Sequence, residues 1–267
     1  MERIAGCNAS RRYGPAVAGY ARDMSEIPAP LTVAAAQPEL RPGNLEFNAA
    51  AHAEAIRKAG ARLVVFPELS LTSYALASAA VALEDSALDV IVEACGATGS
   101  VALAGAPVKE GDGTERIAMV RFDGSGAEVV YRKMHPDEEE GRRFAAAPDP
   151  AVMELDGWRL ALAICRDSMM FAHAADTAEF AHGSGLGGID AYVAGSLFRP
   201  QRIAQRDKRM RYLATGYGMW VVQACFAGQG SDFAETSGDS AIWAPDGTVA
   251  ARADEQPGRI VKAELRF

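Results

Sequence analysis

Residues Leu160–Asp167 have the sequence LALAICRD, in which five apolar residues lead into a cysteine that is followed by two charged residues. A short apolar run of this kind predicts a buried β-strand. The strand would fix the direction of the Cys165 thiol, and the backbone N–H of Arg166 could face an oxyanion, so the position suits a nucleophile. Free cysteine is also common in protein cores, and an inert buried thiol is the competing interpretation.

Apolar strands and helical patterns alternate on both sides of this segment. Helices are predicted over residues 44–60, 75–95, 171–184 and 204–215. Strands are predicted over residues 31–37, 62–66, 101–107, 116–122, 128–132, 151–155, 160–164, 190–195, 220–225 and 259–264, with two more around the turn at 245–247. This order predicts an α/β fold with a mixed sheet. Residues 1–30 lack periodicity and are predicted to form a flexible extension of one domain over residues 31–267.

The composition argues against several classes of partner. The chain has 267 residues and a formal net charge of -8, which disfavours nucleic acid and anionic membrane surfaces. It contains no apolar run long enough to span a bilayer, and its first residues lack the apolar core of a signal peptide. The four cysteines are scattered and do not cluster with the histidines, so we expect a cytoplasmic protein without disulfides or a metal site.

Two more chargeable residues follow predicted strands. Glu68 lies in the sequence FPEL, and Lys133 lies in the sequence YRKMH. Either residue alone is usually solvated at a protein surface. Together with Cys165, however, they supply a base, a cation and a nucleophile.

The three motifs, in this order, resemble those of the nitrilase superfamily, the carbon–nitrogen hydrolases, and the resemblance extends from Leu31 to Glu264. It implies an αββα sandwich with mixed sheets and a catalytic triad of Glu68, Lys133 and Cys165, with no metal and no cofactor. It also implies a homodimer or larger homo-oligomer, assembled in part through the helix after Cys165.

The resemblance extends to a second glutamate and to the substrate pocket. Glu140, in EGRRF, matches the second glutamate of many members, although Glu138 and Glu139 compete with it and the whole acidic run could simply be solvated. The candidate substrate-binding residues are Glu140, Arg166, Phe198 and Tyr74. Phe198 stands where many members carry Trp. Arg166 either binds a substrate carboxylate or forms a structural ion pair.

The implied reaction is hydrolysis of a small non-peptide amide by water through a cysteine thioester, with release of ammonia. Lys133 is expected to favour the thiolate of Cys165, and Glu68 to act as general base and acid. Asp167 is predicted to be a structural acceptor of backbone N–H groups.

Several alternatives remain open at this stage. The chain could be an N-carbamoyl amino acid amidohydrolase, or a catalytically silent binding or assembly module with the same fold. A Cys–His hydrolase using His135 or His173 would leave Glu68 and Lys133 unexplained. Nitrile hydrolysis fits poorly, because Trp often follows the cysteine in nitrile-hydrolysing members and Arg166 stands here.

Overall fold

The structure is a computed structural model that describes residues 27–229 and 232–267, and in these residues twelve β-strands form two six-stranded sheets. The strands are β1 (Leu31–Gln37), β2 (Leu63–Val65), β3 (Val101–Lys109), β4 (Glu115–Asp123), β5 (Gly126–Arg132), β6 (Val152–Leu155), β7 (Trp158–Ile164), β8 (Ala191–Ser196), β9 (Trp220–Cys225), β10 (Ala241–Trp243), β11 (Val249–Arg252) and β12 (Arg259–Leu265). The α-helices are α1 (Leu45–Ala59), α2 (Asp89–Thr98), α3 (Arg166–Met169), α4 (Phe171–Gly183) and α5 (Ile203–Tyr217).

Both sheets are mixed, as predicted. The first sheet has the order β12-β1-β2-β3-β4-β5 and the second the order β11-β10-β9-β8-β7-β6. Strands β1, β2 and β3 are parallel, as are β7, β8 and β9, and the remaining pairs are antiparallel.

The alternation of side chains along β7 shows how the layers are built. Leu160, Leu162 and Ile164 join the apolar core between the two sheets, whereas Ala161 and Ala163 face the layer of α4 and α5. Helices α1 and α2 cover the outer face of the first sheet in the same way. Because successive strand residues point to opposite faces, a strand buried on both sides needs apolar residues at every position. The predicted αββα sandwich is confirmed.

The ends of α1 follow the predicted signals. The side-chain oxygen of Asn44 accepts a hydrogen bond from the N–H of Phe47, and Gly60 ends the helix in the left-handed conformation at φ 52°. Helix α4 ends within one residue of its predicted boundary.

The predicted helix over residues 75–95 is correct only for its last part, residues 89–95, and wrong for residues 75–85. Helix α2 begins at Asp89, a short 3₁₀ turn spans Ser86–Leu88, and residues 75–85 are not helical. The backbone N–H of Val81 instead donates to the carbonyl oxygen of Pro107 at 2.8 Å. This tertiary hydrogen bond, to strand β3, competes with the helix propensity of an alanine-rich segment, which is only a weak local preference.

The predicted N-terminal extension falls mostly outside the described residues, which begin at residue 27. The part that is described contacts the domain, because the carbonyl oxygen of Ala29 accepts a hydrogen bond from the indole N–H of Trp158 at 2.8 Å. Within the described ranges, no helix combines the length and the apolar character that crossing a membrane requires.

Candidate active site

Three strand ends bring an acid, a cation and a thiol together. Glu68 lies three residues after β2, while Lys133 and Cys165 directly follow β5 and β7. Nζ of Lys133 donates a hydrogen bond to Oε1 of Glu68 at 2.6 Å, and both side chains are buried. Cys165 is half-buried, and its thiol donates to the carbonyl oxygen of Leu197 at 3.2 Å. Glu68 and Lys133 both act on the Cys165 thiol electrostatically, so the residues predicted to be catalytic meet in one site.

Glu140 is the second carboxylate of this site. Nζ of Lys133 donates to both of its oxygens, at 2.8 Å to Oε1 and 2.6 Å to Oε2. Glu140 is buried, whereas Glu138 and Glu139 are exposed. The hydroxyl of Tyr74 donates to Oε1 of Glu140 at 2.7 Å, so Tyr74 also belongs to the site. Lys133 is thus held between two buried carboxylates.

A strained turn holds the thiol. Cys165 has φ 45° and ψ -99°, a conformation that non-glycine residues rarely adopt. The backbone N–H and the hydroxyl of Ser168 both donate to the Cys165 carbonyl oxygen, at 3.0 and 2.7 Å. Helix α3 begins at the next residue, so strand, turn and helix together fix the direction of the side chain.

Gly195 on β8 lies between the backbone of Cys165 and the backbone that leads to Glu68. Its carbonyl oxygen accepts the backbone N–H of Cys165 at 2.9 Å. A β-carbon at this glycine would lie 2.6 Å from the carbonyl oxygen of Phe66 and 3.2 Å from the backbone nitrogen of Glu68. Only glycine permits this close approach of two backbones, one leading to the base and the other paired with β7, the strand that leads to the thiol.

We expect Gly195→Ala to lower the free energy of unfolding by about 1–3 kcal/mol, because the added methyl group overpacks a buried backbone contact. Gly216→Ala is the matched control. A β-carbon there has Cζ of Tyr212 as its nearest neighbour, at 3.9 Å, and alanine should stabilise helix α5 by up to about 1 kcal/mol. Denaturant unfolding measures both, and equal stability of the two variants would contradict the close approach at Gly195.

Burial and charge shift the pKa values of the site in different directions. Burial, with the charge of Glu140 adding to it, raises the pKa of Glu68 to about 8 against the opposing effect of Lys133. Burial alone would lower the pKa of Lys133, but the charges of Glu68, Cys165 and Glu140 outweigh it and raise that pKa. Lys133 is therefore a permanent cation at neutral pH.

Lys133 lowers the pKa of the Cys165 thiol, as expected, but other effects oppose it. Burial and the negative charge of Glu68 raise the pKa of the Cys165 thiol well above its ordinary value, although Lys133 acts in the opposite direction. The nucleophile rests as a thiol, and its proton must move during attack. The raised pKa of Glu68 makes that carboxylate a stronger base than an exposed one.

Comparison with known proteins assigns the family. A model of the carbon–nitrogen hydrolase family matches residues 32–267. The chain belongs to this family. A curated relative, described as a hydrolase in the pqqF 5′ region of Pseudomonas protegens, is 28% identical over 242 residues, which are 88% of this chain and 78% of the relative.

Solved structures of an amidase from Nesterenkonia sp. AN1 share the fold. One is a mutant with the acetamide moiety of fluoroacetamide covalently added at its active site cysteine. It is 20% identical, has a TM-score of 0.77, and the match covers 88% of this chain and 90% of that one. Another is a mutant in complex with butyramide, with the same identity and TM-score and coverages of 88% and 91%.

In this carbon–nitrogen hydrolase, Asp167 joins the lysine strand to the thiol strand. Its Oδ1 accepts the backbone N–H of His135 at 2.9 Å and lies 2.8 Å from Nδ1 of that histidine. Its Oδ2 accepts the hydroxyl of Tyr131 at 2.7 Å and the backbone N–H of Ile164 at 3.1 Å. Its predicted role as an acceptor of backbone N–H groups is confirmed.

The two histidines near the site are engaged elsewhere. Nε2 of His173 lies 2.9 Å from the hydroxyl of Tyr131, and its Nδ1 lies 2.8 Å from the hydroxyl of Tyr192. Nδ1 of His135 faces Asp167. These contacts give both rings structural partners, so the geometry does not support a Cys–His pair.

The remaining predicted site residues lie around the thiol. Phe198 is buried and directly follows Leu197, whose carbonyl oxygen receives the thiol hydrogen bond. The Arg166 side chain is exposed and donates to the carbonyl oxygen of Pro136 at 3.3 Å. Across residues 27–229 and 232–267, Arg166 forms no ion pair with a carboxylate, so the structural ion pair considered above is not found there.

Sequence reasoning did not identify Tyr131, Leu197 or Gly195. Tyr131 lies in the YRKMH motif without a signal of its own, and a backbone carbonyl such as that of Leu197 has no sequence signal. Gly195 does have a sequence signal, because a glycine inside an apolar strand often marks the close approach of another backbone.

Proposed function

We propose that this carbon–nitrogen hydrolase cleaves small, non-peptide linear amides through a thioester at Cys165 and releases ammonia. The observation that carries the proposal is the buried lysine held by two carboxylates beside a thiol on a strained turn. An amide is a poor electrophile, so its attack by a thiol needs a base, an acid for the leaving amine and a positive charge near the developing oxyanion. Glu68 and Lys133 supply these functions.

The proposed steps balance in protons and in bonds. Glu68 accepts the thiol proton as sulfur bonds to the amide carbon, and Lys133 stabilises the oxyanion together with the backbone N–H of Arg166. The protonated Glu68 then passes its proton to the amine, the C–N bond breaks, and ammonia leaves a thioester. Water hydrolyses the thioester with Glu68 again as base, which releases the acid and restores the thiol. These steps need no metal and no organic cofactor.

Glu140 and Tyr74 support this chemistry by holding Lys133. Two hydrogen bonds to Glu140 fix the ammonium group, and Glu140 in turn accepts the backbone N–H of Asp137 at 2.7 Å. We propose that Glu140 also orients the substrate amide, and that Tyr74 and Phe198 contact the acyl group of the substrate.

A panel of substrates tests the proposal through ammonia release. We expect acetamide, propionamide and butyramide, the amide bound to the Nesterenkonia amidase mutant, to be hydrolysed, while nitriles stay inert. Cys165→Ala is the control and should release no ammonia. Selective turnover of N-carbamoyl amino acids would point to the carbamoylase alternative, and a folded protein inactive on the whole panel would point to the silent module.

Arg166 is proposed to bind the carboxylate of substrates that carry one. Since its side chain is exposed and contacts only a carbonyl oxygen in the described protein, Arg166→Ala should change stability by less than about 0.5 kcal/mol. The KM for succinamate should rise roughly 10- to 100-fold, because a charge-assisted hydrogen bond is worth about 1.5–3 kcal/mol, while the KM for neutral propionamide stays constant. The same change in both KM values would contradict carboxylate binding.

We further propose that the protein is a homodimer or a larger homo-oligomer in a reducing cytoplasm. Phe171 and Phe180 on α4 are 61% and 41% exposed, and Tyr212 on α5 is 46% exposed. The rings of Phe171 and Tyr212 contact each other, with their centroids 5.7 Å apart. Exposed apolar rings that adjoin one another favour association with another protein surface, and here a second copy is the proposed partner. Cys95, Cys165 and Cys225 are free thiols, which fits a reducing compartment.

A further inference from the structure

Phe233 packs against the catalytic site from the segment between β9 and β10. Its half-buried ring meets the ring of Tyr74 edge-on, with the centroids 5.3 Å apart and the planes at 64°. The guanidinium carbon of Arg199 lies over the same ring, 5.0 Å from its centroid. These contacts are aromatic and cation–π in geometry and hold the ring in place.

Two chains of contacts connect this ring to the reacting groups. On one side, the hydroxyl of Tyr74 donates to Glu140, which binds Lys133. The pKa of Tyr74 is raised by burial and by the nearby charges of Glu68, Glu140 and Cys165, so Tyr74 adjoins the catalytic groups. On the other side, Arg199 stands two residues after Leu197, the acceptor of the thiol hydrogen bond.

The segment that carries Phe233 is fastened at both ends. Before the ring, Oδ2 of Asp232 accepts the backbone N–H of Leu76 at 2.7 Å. After it, the hydroxyl of Thr236 donates to the carbonyl oxygen of Gly228, and the backbone N–H of Ser237 donates to that of Phe198 at 2.8 Å. The ring is thus positioned by contacts on both sides along the chain.

An open cavity of about 540 Å³ lies on the outer side of Phe233. Its walls include Arg199, Arg202, Asp232 and Glu235, which are all exposed. Phe233 lines this cavity and also touches Tyr74, so its ring stands between the cavity and the catalytic groups.

We infer that Phe233 is the wall that limits the acyl side of the substrate, so that the enzyme selects short-chain amides; this inference rests on the proposed amidase function. Removing the ring would connect the catalytic site with the outer cavity and admit longer acyl chains. A hydrophobic wall discriminates by size, with each excess methylene group costing about 10-fold or more in kcat/KM where the pocket cannot yield.

The first test compares kcat/KM for hexanamide and acetamide in the full-length enzyme. In Phe233→Ala the ratio of the two values should rise about 10-fold or more, and in Phe233→Leu it should rise less, because leucine keeps part of the wall. The control is Phe47→Ala, since Phe47 is another half-buried phenylalanine beneath an arginine, with Arg41 3.7 Å from its ring centroid, but on helix α1. An unchanged ratio in both Phe233 variants would overturn the inference.

The second test needs no turnover. Methyl and benzyl methanethiosulfonate both convert a thiol into a mixed disulfide and release a sulfinate, and peptide mass spectrometry gives their rates at Cys165. In the parent protein the benzyl reagent should react with Cys165 far more slowly than the methyl reagent. Phe233→Ala should lower the ratio of the methyl rate to the benzyl rate about 10-fold. Phe47→Ala should leave it unchanged.

The outcomes separate the two proposals. If no amide is hydrolysed but the difference in rate between the two reagents at Cys165 depends on Phe233, the inference about Phe233 holds and the amidase proposal fails. If amides are hydrolysed but Phe233 affects neither the preference for short amides nor the preference for the methyl reagent, only the inference about Phe233 fails. Faster labelling of buried Cys225 in Phe233→Ala would show general loosening of the protein and would also overturn the inference.

Discussion

Glu68→Gln is expected to lower kcat for amide hydrolysis by about 10²–10⁴-fold, the usual contribution of a general acid–base group. The carboxylate accepts the thiol proton, donates it to the leaving amine and then activates water, so both half-reactions depend on it. Glutamine has nearly the same size and can still accept the hydrogen bond from Lys133, now 2.6 Å from Oε1 of Glu68. The variant should therefore fold normally, as circular dichroism and denaturant unfolding would show.

Alkylation of Cys165 by iodoacetamide at pH 7 should not slow down in the same variant. The negative charge of Glu68 raises the pKa of the thiol and Lys133 lowers it, so removing that charge favours the thiolate. The variant would combine a reactive cysteine with a lost amidase activity. Glu138→Gln, a change of an exposed glutamate in the acidic run, should alter neither rate. A variant that lost alkylation and hydrolysis in parallel would show that Glu68 acts on the thiol alone.

Strand β7 shows what the sequence could predict. Its alternation of leucine and alanine matches one face packed against the other sheet and one packed against helices, and the cysteine at its end became the centre of the site. Glu68 and Lys133 were predictable because each lies at the end of a predicted strand and in a motif of the family. Glu140 was distinguished from Glu138 and Glu139 only by its burial against Lys133.

The protonation state of the site could not be predicted from the sequence. A lysine near a cysteine suggested a thiolate, but burial is the largest influence on the pKa of Cys165, and it depends on which other elements cover the thiol. The same holds for residues 75–85, where alanine content suggested a helix and a hydrogen bond to β3 replaced it. Tyr74 and Phe233 meet only through the fold, because no local pattern relates positions so far apart.

Lys133→Ala is expected to affect both catalysis and stability. The oxyanion loses its cation, which should reduce kcat on the order of 10²–10³-fold. Glu68 and Glu140 remain buried without their shared partner, and breaking a buried ion pair by removing one side typically costs about 3–5 kcal/mol. Lys133→Arg should not restore activity, because a guanidinium is larger than an ammonium group and its N–H groups point in a fixed planar fork, whereas the site holds a compact ammonium group.

The loss of stability in Lys133→Ala should grow as the pH rises above about 8. The charge of Lys133 opposes the effect of burial on Glu68, so without the lysine the pKa of this carboxyl group should rise further above the value of about 8 that it has in the parent protein. Above about pH 8 the folded parent releases this proton, whereas the folded variant still holds a proton that its unfolded state has lost, so each further unit of pH favours unfolding of the variant more than that of the parent. Lys133 in the parent protein stays charged in this window, because its own pKa is raised. Denaturant unfolding at about pH 7 and about pH 9 measures the difference, with Lys208→Ala, a change of an exposed lysine on α5, as control. A deficit of the same size at both pH values would mean that Glu68 does not depend on Lys133 for its charge.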